Sequence, residues 1–420
     1  MKRQRITQIF SLFFLFCTTH FCAQINREIT PPDYIKTVIF DTGQEFVNVP
    51  YLELGNSFSL TFDDIIGDEA DYYYKIRHFN FDWTPSILTK NEYMEGFDNI
   101  RIFDYENSVN ALQIYSHYRL RIPNSDTKRL KVSGNYMIEI YNDKEELVFS
   151  KKFVMYEKQA TVKVAIKRSR DLKSINYKQL VQFSISASDL LFIEPKKNVK
   201  TLVFQNYDFR RPILDLVPQY TVGNELIYRY NEEASFWGGN EFLFFDNKDI
   251  RIANNRVSRI ELNKLYNHYL FTDITRQGRP YTFYPDVNGN FVVRNIRANR
   301  NDIEAEYVKM HFSLDHTEDI GDAEIHIYGN YNSYILDDHT RMQYNERSGI
   351  YENELMLKQG FYNYRYVLRY PDGTLDPGAI SGNFDETENE YTVIPFYRGP
   401  GDRYDRAIGI GTGNSRNITN

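Results

Sequence analysis

Tyrosine and phenylalanine outnumber alanine almost fivefold: 34 Tyr and 30 Phe stand against 13 Ala, with only 2 Trp. Packed helices lean on Ala and Leu, whereas aromatic and β-branched side chains suit the pleated, half-buried surface of a sheet. The expected fold is therefore all-β. Apolar residues make up 42% of the 420 residues, enough for real cores, and the length suggests two or three domains. Fifty basic against 57 acidic residues, a net charge of −7, argue against a nucleic-acid binder.

Residues 1–23 read as a cleaved secretory signal peptide: a basic MKRQR, an apolar ITQIFSLFFLF and a small residue at Ala23. The apolar run is shorter than the roughly 20 residues a membrane helix needs. Cys17 and Cys22 each follow a Phe rather than the small residue that lipidation requires. Both cysteines leave with the leader, so no disulfide, thiol nucleophile or cysteine metal site is expected. Its three basic residues (Lys2, Arg3, Arg5) leave too, deepening the net charge from −7 to −10. Such a chain is exported, acidic and stable by packing alone.

Short alternating segments separated by Gly, Pro, Asn and Asp recur along the rest of the chain. Examples are Tyr34–Phe40, Phe58–Phe62, Tyr136–Tyr141, Val199–Gln205, Tyr307–Leu314 and Phe361–Tyr370. With turns such as Asn288-Gly289 and Asp372-Gly373, this is the pattern of β-sandwiches. Residues 250–268 and 342–358 allow at most short helices. The expected organisation is an N-terminal sandwich over 24–157, a middle sandwich over 158–302 and a third β-domain over 303–397. Residues 398–420, rich in Gly, are expected to be a flexible tail. In Asp71–Trp83 the apolar face switches parity near His78, predicting a bulge or bend.

Candidates for chemistry are weak. The histidines that remain are His78, His117, His268, His311, His316, His326 and His339, and no two have the helical spacing of a zinc hydrolase. His311 and His316 fall on opposite strand faces. Asp337-Asp338-His339 reads as a polar loop. Asp63, Asp64, Asp68, Glu69 and Asp71 read as a solvated acidic rim rather than a glycosidase pair. His78, Asn80 and Asp82 could share a strand face. His117, Arg119 and Arg121 form a basic row, read as solvated. Asp286-Val287-Asn288-Gly289-Asn290 faintly resembles a calcium loop, but an Asn-Gly hairpin turn explains it. Gly409, Gly411 and Gly413 lack the helix that a phosphate loop needs. No residue is thereby assigned a catalytic, cofactor-binding or metal-ligating role.

The ordered motifs resemble a known family. PPDYIKTVIF (31–40), GNSFSLTFDD (55–64), HFNFDWTPS (78–86), EYMEGF (92–97), YSHYRLRIPN (115–124) and SGNYMIEIY (133–141) are similar to the opening of type IX secretion system plug proteins. FWGGNEFLFFDNKDIR (236–251), DVNGNFVVRN (286–295) and AEYVKMHFSL (305–314) look like that family's middle. The chain departs at Leu243, where an arginine would be expected. The resemblance implies a non-enzymatic periplasmic protein that docks on the periplasmic mouth of the outer-membrane β-barrel translocon. It would seal the pore when no cargo carrier occupies the gate, binding neither nucleic acid nor a small molecule. The resemblance does not designate the docking face.

AEIHIYGNYNSY (323–334) and GIYENELMLKQGFYNYRYVLRYPDG (349–373) are also similar to early-set immunoglobulin-like domains, including starch- and glycogen-binding modules. That likeness implies an alternative, a periplasmic glycan binder with an aromatic platform at Tyr331, Tyr334, Tyr362, Tyr364, Tyr366 and Tyr370. A row on one strand face reads more simply as core.

Overall fold

The computed structural model describes residues 28–43, 48–254 and 256–418. The expected leader, residues 1–23, lies outside them. The chain folds as three stacked β-sandwich units with only single-turn helices among the described residues.

In the first unit one sheet runs in the order Ile35–Asp41, Phe58–Asp64, Ser116–Ile122, Tyr105–Asn107. The facing sheet runs Tyr51–Glu53, Leu147–Tyr156, Gly134–Tyr141, Tyr73–Phe79, Ile100–Arg101. Phe58, Leu60 and Phe62 alternate inward with Ser59 and Thr61 between them, the period-two pattern that makes this segment a strand. Phe40 stacks on Phe58 and on Phe153, and Phe58 and Phe153 pack at a tilt, all with centroids about 5 Å apart. The predicted bend falls after Phe79: Asn80 N donates to Thr84 O, and Trp83 adopts φ 62°.

The second unit pairs Thr161–Arg168, Lys178–Ser186, Glu225–Tyr228 and Tyr220–Val222 in one sheet. Its other sheet is Ile213–Leu214, Val199–Gln205 and Glu390–Tyr397, and Arg406–Ala407 and Gly411–Asn414 both pair with the last of these. The sandwich begun near residue 161 is thus closed by residues 390–414. All of the third unit lies between. It comprises one sheet around Gly360–Arg369 and a six-stranded sheet containing Val257–Leu262, Tyr266–Leu270, Tyr307–Asp315 and Ile350–Lys358.

Two expectations are corrected here. A boundary at 302 cuts through a sheet, since Tyr266–Leu270 pairs in parallel with Tyr307–Asp315. The third sandwich, roughly 241–388, is inserted into the second, and the strand before Tyr397 belongs to the second. Insertion leaves no mark in composition. A reading along the chain therefore assumes contiguous units. The tail is also not free: Ala407 and Ile408 are fully buried. A Cβ on Gly409 would lie 2.6 Å from Ala160 O, and one on Gly411 2.6 Å from Val162 O. The spaced glycines let a final strand lie against Thr161–Arg168. Having no side chains, they bury little apolar surface and read as flexible.

The insertion is tied at its neck. Gly239 adopts φ +65°, Phe384 N donates to Gly239 O at 2.8 Å, and Asn389 Nδ2 donates to Gly238 O at 2.8 Å. Between the first and second units Phe81 packs on Phe396 with centroids 5.3 Å apart, and Phe81 N donates to Asp405 Oδ2 at 2.9 Å. Between the second and third, Tyr334 Oη donates to Asn206 O at 2.6 Å.

Candidate functional site

The strand Phe58–Asp64 carries its alternation only as far as Phe62. Asp63 and Asp64 follow and are both buried, so the expected solvated rim is corrected. The third unit covers this strand end. Lys358 Nζ lies 2.6 Å from Asp63 Oδ2, Tyr307 Oη donates to the same oxygen at 2.6 Å, and His117 Nδ1 lies 2.6 Å from Asp63 Oδ1. Burial alone would raise the Asp63 carboxyl, but Lys358 and His117 outweigh it and hold the pKa below the ordinary value. The Lys358 ammonium also sits over the Tyr115 ring, 4.1 Å from its centroid. Asp64 is separate: burial raises its pKa, while Ile66 N and Tyr72 Oη donate to its oxygens.

The basic row is therefore not a solvated face. His117 enters the buried network, and Arg119 pairs with Asp302 of the third unit at 2.9 Å, leaving Arg121 exposed. Asp68 and Glu69 are exposed; Asp71 pairs with Arg101 at 2.6 Å. His78, Asn80 and Asp82 do not share a face. His78 is buried against Ser86 and Ser133, and burial lowers its pKa to about 4. Asn80 and Asp82 instead hold the turn to Thr84. His311 stacks on Tyr269 while His316 bonds Thr275, so they share no site. His339 lies 2.8 Å from Asp33.

Asp286 spends its carboxylate on the turn itself. It accepts from Asn288 N and from Phe242 N, both at 2.7 Å, and burial raises its pKa to about 6. Beside it at the neck, Glu241 accepts from Tyr281 Oη and from Glu388 N, and burial raises its pKa to about 7. Among the described residues no three His, Cys, Asp or Glu could hold a metal ion together. Tyr331, Tyr334, Tyr362, Tyr364 and Tyr366 are buried in the third unit, so they form core and cannot serve as a sugar platform.

The surface feature that stands out was missed from sequence. The loop 108–115 is closed at its base, with Ser108 N donating to Tyr115 O and Tyr115 N to Ser108 Oγ. Its tip exposes Val109 (46%), Leu112 (52%) and Ile114 (58%), and Ile66 (53%) projects from the neighbouring loop. The two loops touch: Gln113 Nε2 donates to Ile65 O at 2.9 Å, and a Cβ on Gly67 would lie 3.2 Å from Ile114 Cγ1. The third unit holds this tip in place. Glu306 accepts from Leu112 N at 2.6 Å and from Gln113 N at 3.1 Å, and Val109 N donates to Ile303 O at 2.9 Å. Four aliphatic side chains on fixed loop tips are what a protein–protein contact uses. The legible signal was aliphatic residues in a short segment flanked by Asn107-Ser108, where a loop is ordinarily polar. Tyr220 and Val222 are also exposed, but on a three-residue edge strand.

Residues 35–157 match the family model described as type 9 secretion system plug protein, 1st domain. The chain is similar over 92% of its length to the crystal structure at 2.30 Å resolution of a hypothetical protein from Parabacteroides merdae ATCC 43184. That similarity covers 98% of the other chain, with 32% identity and a TM-score of 0.88. The BSP domain of a biofilm associated protein aligns at 8% identity and a TM-score of 0.16, too low to inform the fold. No functionally curated protein matches.

Proposed function

The chain belongs to the type IX secretion system plug protein family, and from that premise we propose that it is a non-enzymatic periplasmic stopper of the system's outer-membrane translocon. It docks on the periplasmic end of the β-barrel and seals the pore while no cargo carrier occupies the gate. The match over residues 35–157 carries this reading. Two physical features support it. A stopper must be a rigid body, and here three sandwiches are fastened by polar contacts at each junction. A stopper must also release, which suits a modest interface of about 1,200–2,000 Å² built on a preorganised patch. The fixed aliphatic tips at Ile66, Val109, Leu112 and Ile114 are the docking patch in this proposal.

The test is to purify the translocon in mild detergent from cells lacking the gate carrier. The plug is expected to copurify, and consistent absence would overturn the reading. Deleting it in that background should admit large antibiotics across the outer membrane, and unchanged permeability would contradict pore sealing.

A further inference from the structure

The strand Ile35–Asp41 does not alternate regularly. Its register against Phe58–Asp64 slips between Lys36 and Ile39, and Thr37 within the slip has φ 52°. A β-branched residue there is strained. The bulge brings Lys36, Thr37 and Val38, three consecutive residues, to the lining of one cleft, while the Thr37 hydroxyl reaches Tyr307 Oη at 2.6 Å. Strain and bulges of this kind gather beside binding sites.

The cleft lies between the first and third units and has a volume of about 370 Å³, within the range of small-molecule sites. Ile35 and Phe149 wall it from one side; Phe291, Ile335, Leu357 and Tyr362 wall it from the other. Its charged groups are almost all satisfied. Arg210 lies 2.7 Å from Glu28, which also faces Lys151; His339 lies 2.8 Å from Asp33; Lys309 lies 2.7 Å from Glu354; Lys358 is committed to Asp63. Asp337 accepts from the backbone N–H groups of His339 and Thr340. Lys36 is the exception. Half-buried on the cleft, it has no ion-pair or hydrogen-bond partner among the described residues. Burial lowers its pKa, and the Asp33 and Asp337 carboxylates oppose that shift without pairing with it.

A lone ammonium beside an apolar wall asks for one negative charge on an apolar body. A phosphate dianion is ordinarily gripped by an Arg fork or several backbone N–H groups, and the Arg on this cleft is already paired. We infer that the cleft binds a single acyl chain ending in a carboxylate, with the carboxylate at Lys36 Nζ and the chain along the apolar wall. This binding is independent of docking on the translocon.

Titration calorimetry of the mature chain with dodecanoate and with dodecyltrimethylammonium, both below micelle formation, tests it. Dodecanoate should bind one to one, at least tenfold tighter than the cation of the same chain length. Lys36→Met should weaken dodecanoate at least tenfold while leaving the melting temperature unchanged or raised, because it removes an unpaired, desolvated charge. No heat with dodecanoate, equal affinity for the cation, or undiminished binding by Lys36→Met would each overturn the inference. Lys36→Gln serves as a second variant. Should neither fold, the comparison of the two head groups on the wild-type chain still decides.

Discussion

Lys358 Nζ and Asp63 Oδ2 meet at 2.6 Å across 295 residues of chain, both side chains withdrawn from water. Neither could be buried alone, so the third sandwich is keyed onto the end of one strand of the first. Tyr307 and His117 complete the hydrogen bonds that an isolated buried pair would lack.

Breaking that key from one side should be costly. Lys358→Met leaves the Asp63 carboxylate buried without its ammonium partner, and is expected to destabilise the protein by about 3–5 kcal/mol in urea unfolding. Adding Asp63→Asn should restore much of the loss. A double variant as unstable as the sum of the singles would show that the pair is not coupled.

Acid should release the same key. The Asp63 pKa is held below its ordinary value of 3.8, so the contribution is complete above that pH and is lost as pH falls through the lower folded pKa. Glu241 works in the opposite sense. Burial raises its pKa from 4.5 to about 7, so the folded state keeps a proton that the unfolded state releases. Stability should therefore decline as pH rises across that interval. Glu241→Gln should flatten the decline and raise stability at pH 8 by on the order of 1–3 kcal/mol. Thermal melts of both proteins from pH 4 to pH 8 check this.

The proposed docking patch predicts a separation of binding from stability. Leu112→Asp with Ile114→Asp should reduce capture by the purified translocon at least tenfold and leave the melting temperature within a few degrees. Glu306→Ala, which frees Leu112 N and Gln113 N, should weaken capture without changing any exposed aliphatic side chain. Capture unaffected by all three would place the contact elsewhere on the plug.

The last strand should be indispensable. Gly411→Val brings a side chain against Val162 O, where even a Cβ would sit 2.6 Å away, and truncation after Tyr397 removes both segments that pair with Glu390–Tyr397. Each should expose the second sandwich to limited proteolysis, at a cost above about 3 kcal/mol. A truncated chain that resists protease like the full one would disprove this.

The fold class lay open in the sequence because strand alternation and aromatic enrichment are local properties. Phe58, Leu60 and Phe62 point inward whatever the third unit does. The ordered motifs between residues 31 and 141 likewise disclosed the family. What sequence could not convey was who meets whom. Asp63, His117 and Arg119 look like surface charges until a partner from beyond residue 300 covers them, and no spacing rule links Lys358 to a strand 295 residues earlier. The insertion of one sandwich into another, the burial of a glycine-rich last strand and the bracing of Leu112 by Glu306 are all long-range pairings. Local chemistry determined that this chain would make β-sandwiches. Tertiary contact alone decided how they interlock, because a buried charge or an exposed aliphatic side chain is defined by its neighbours in space.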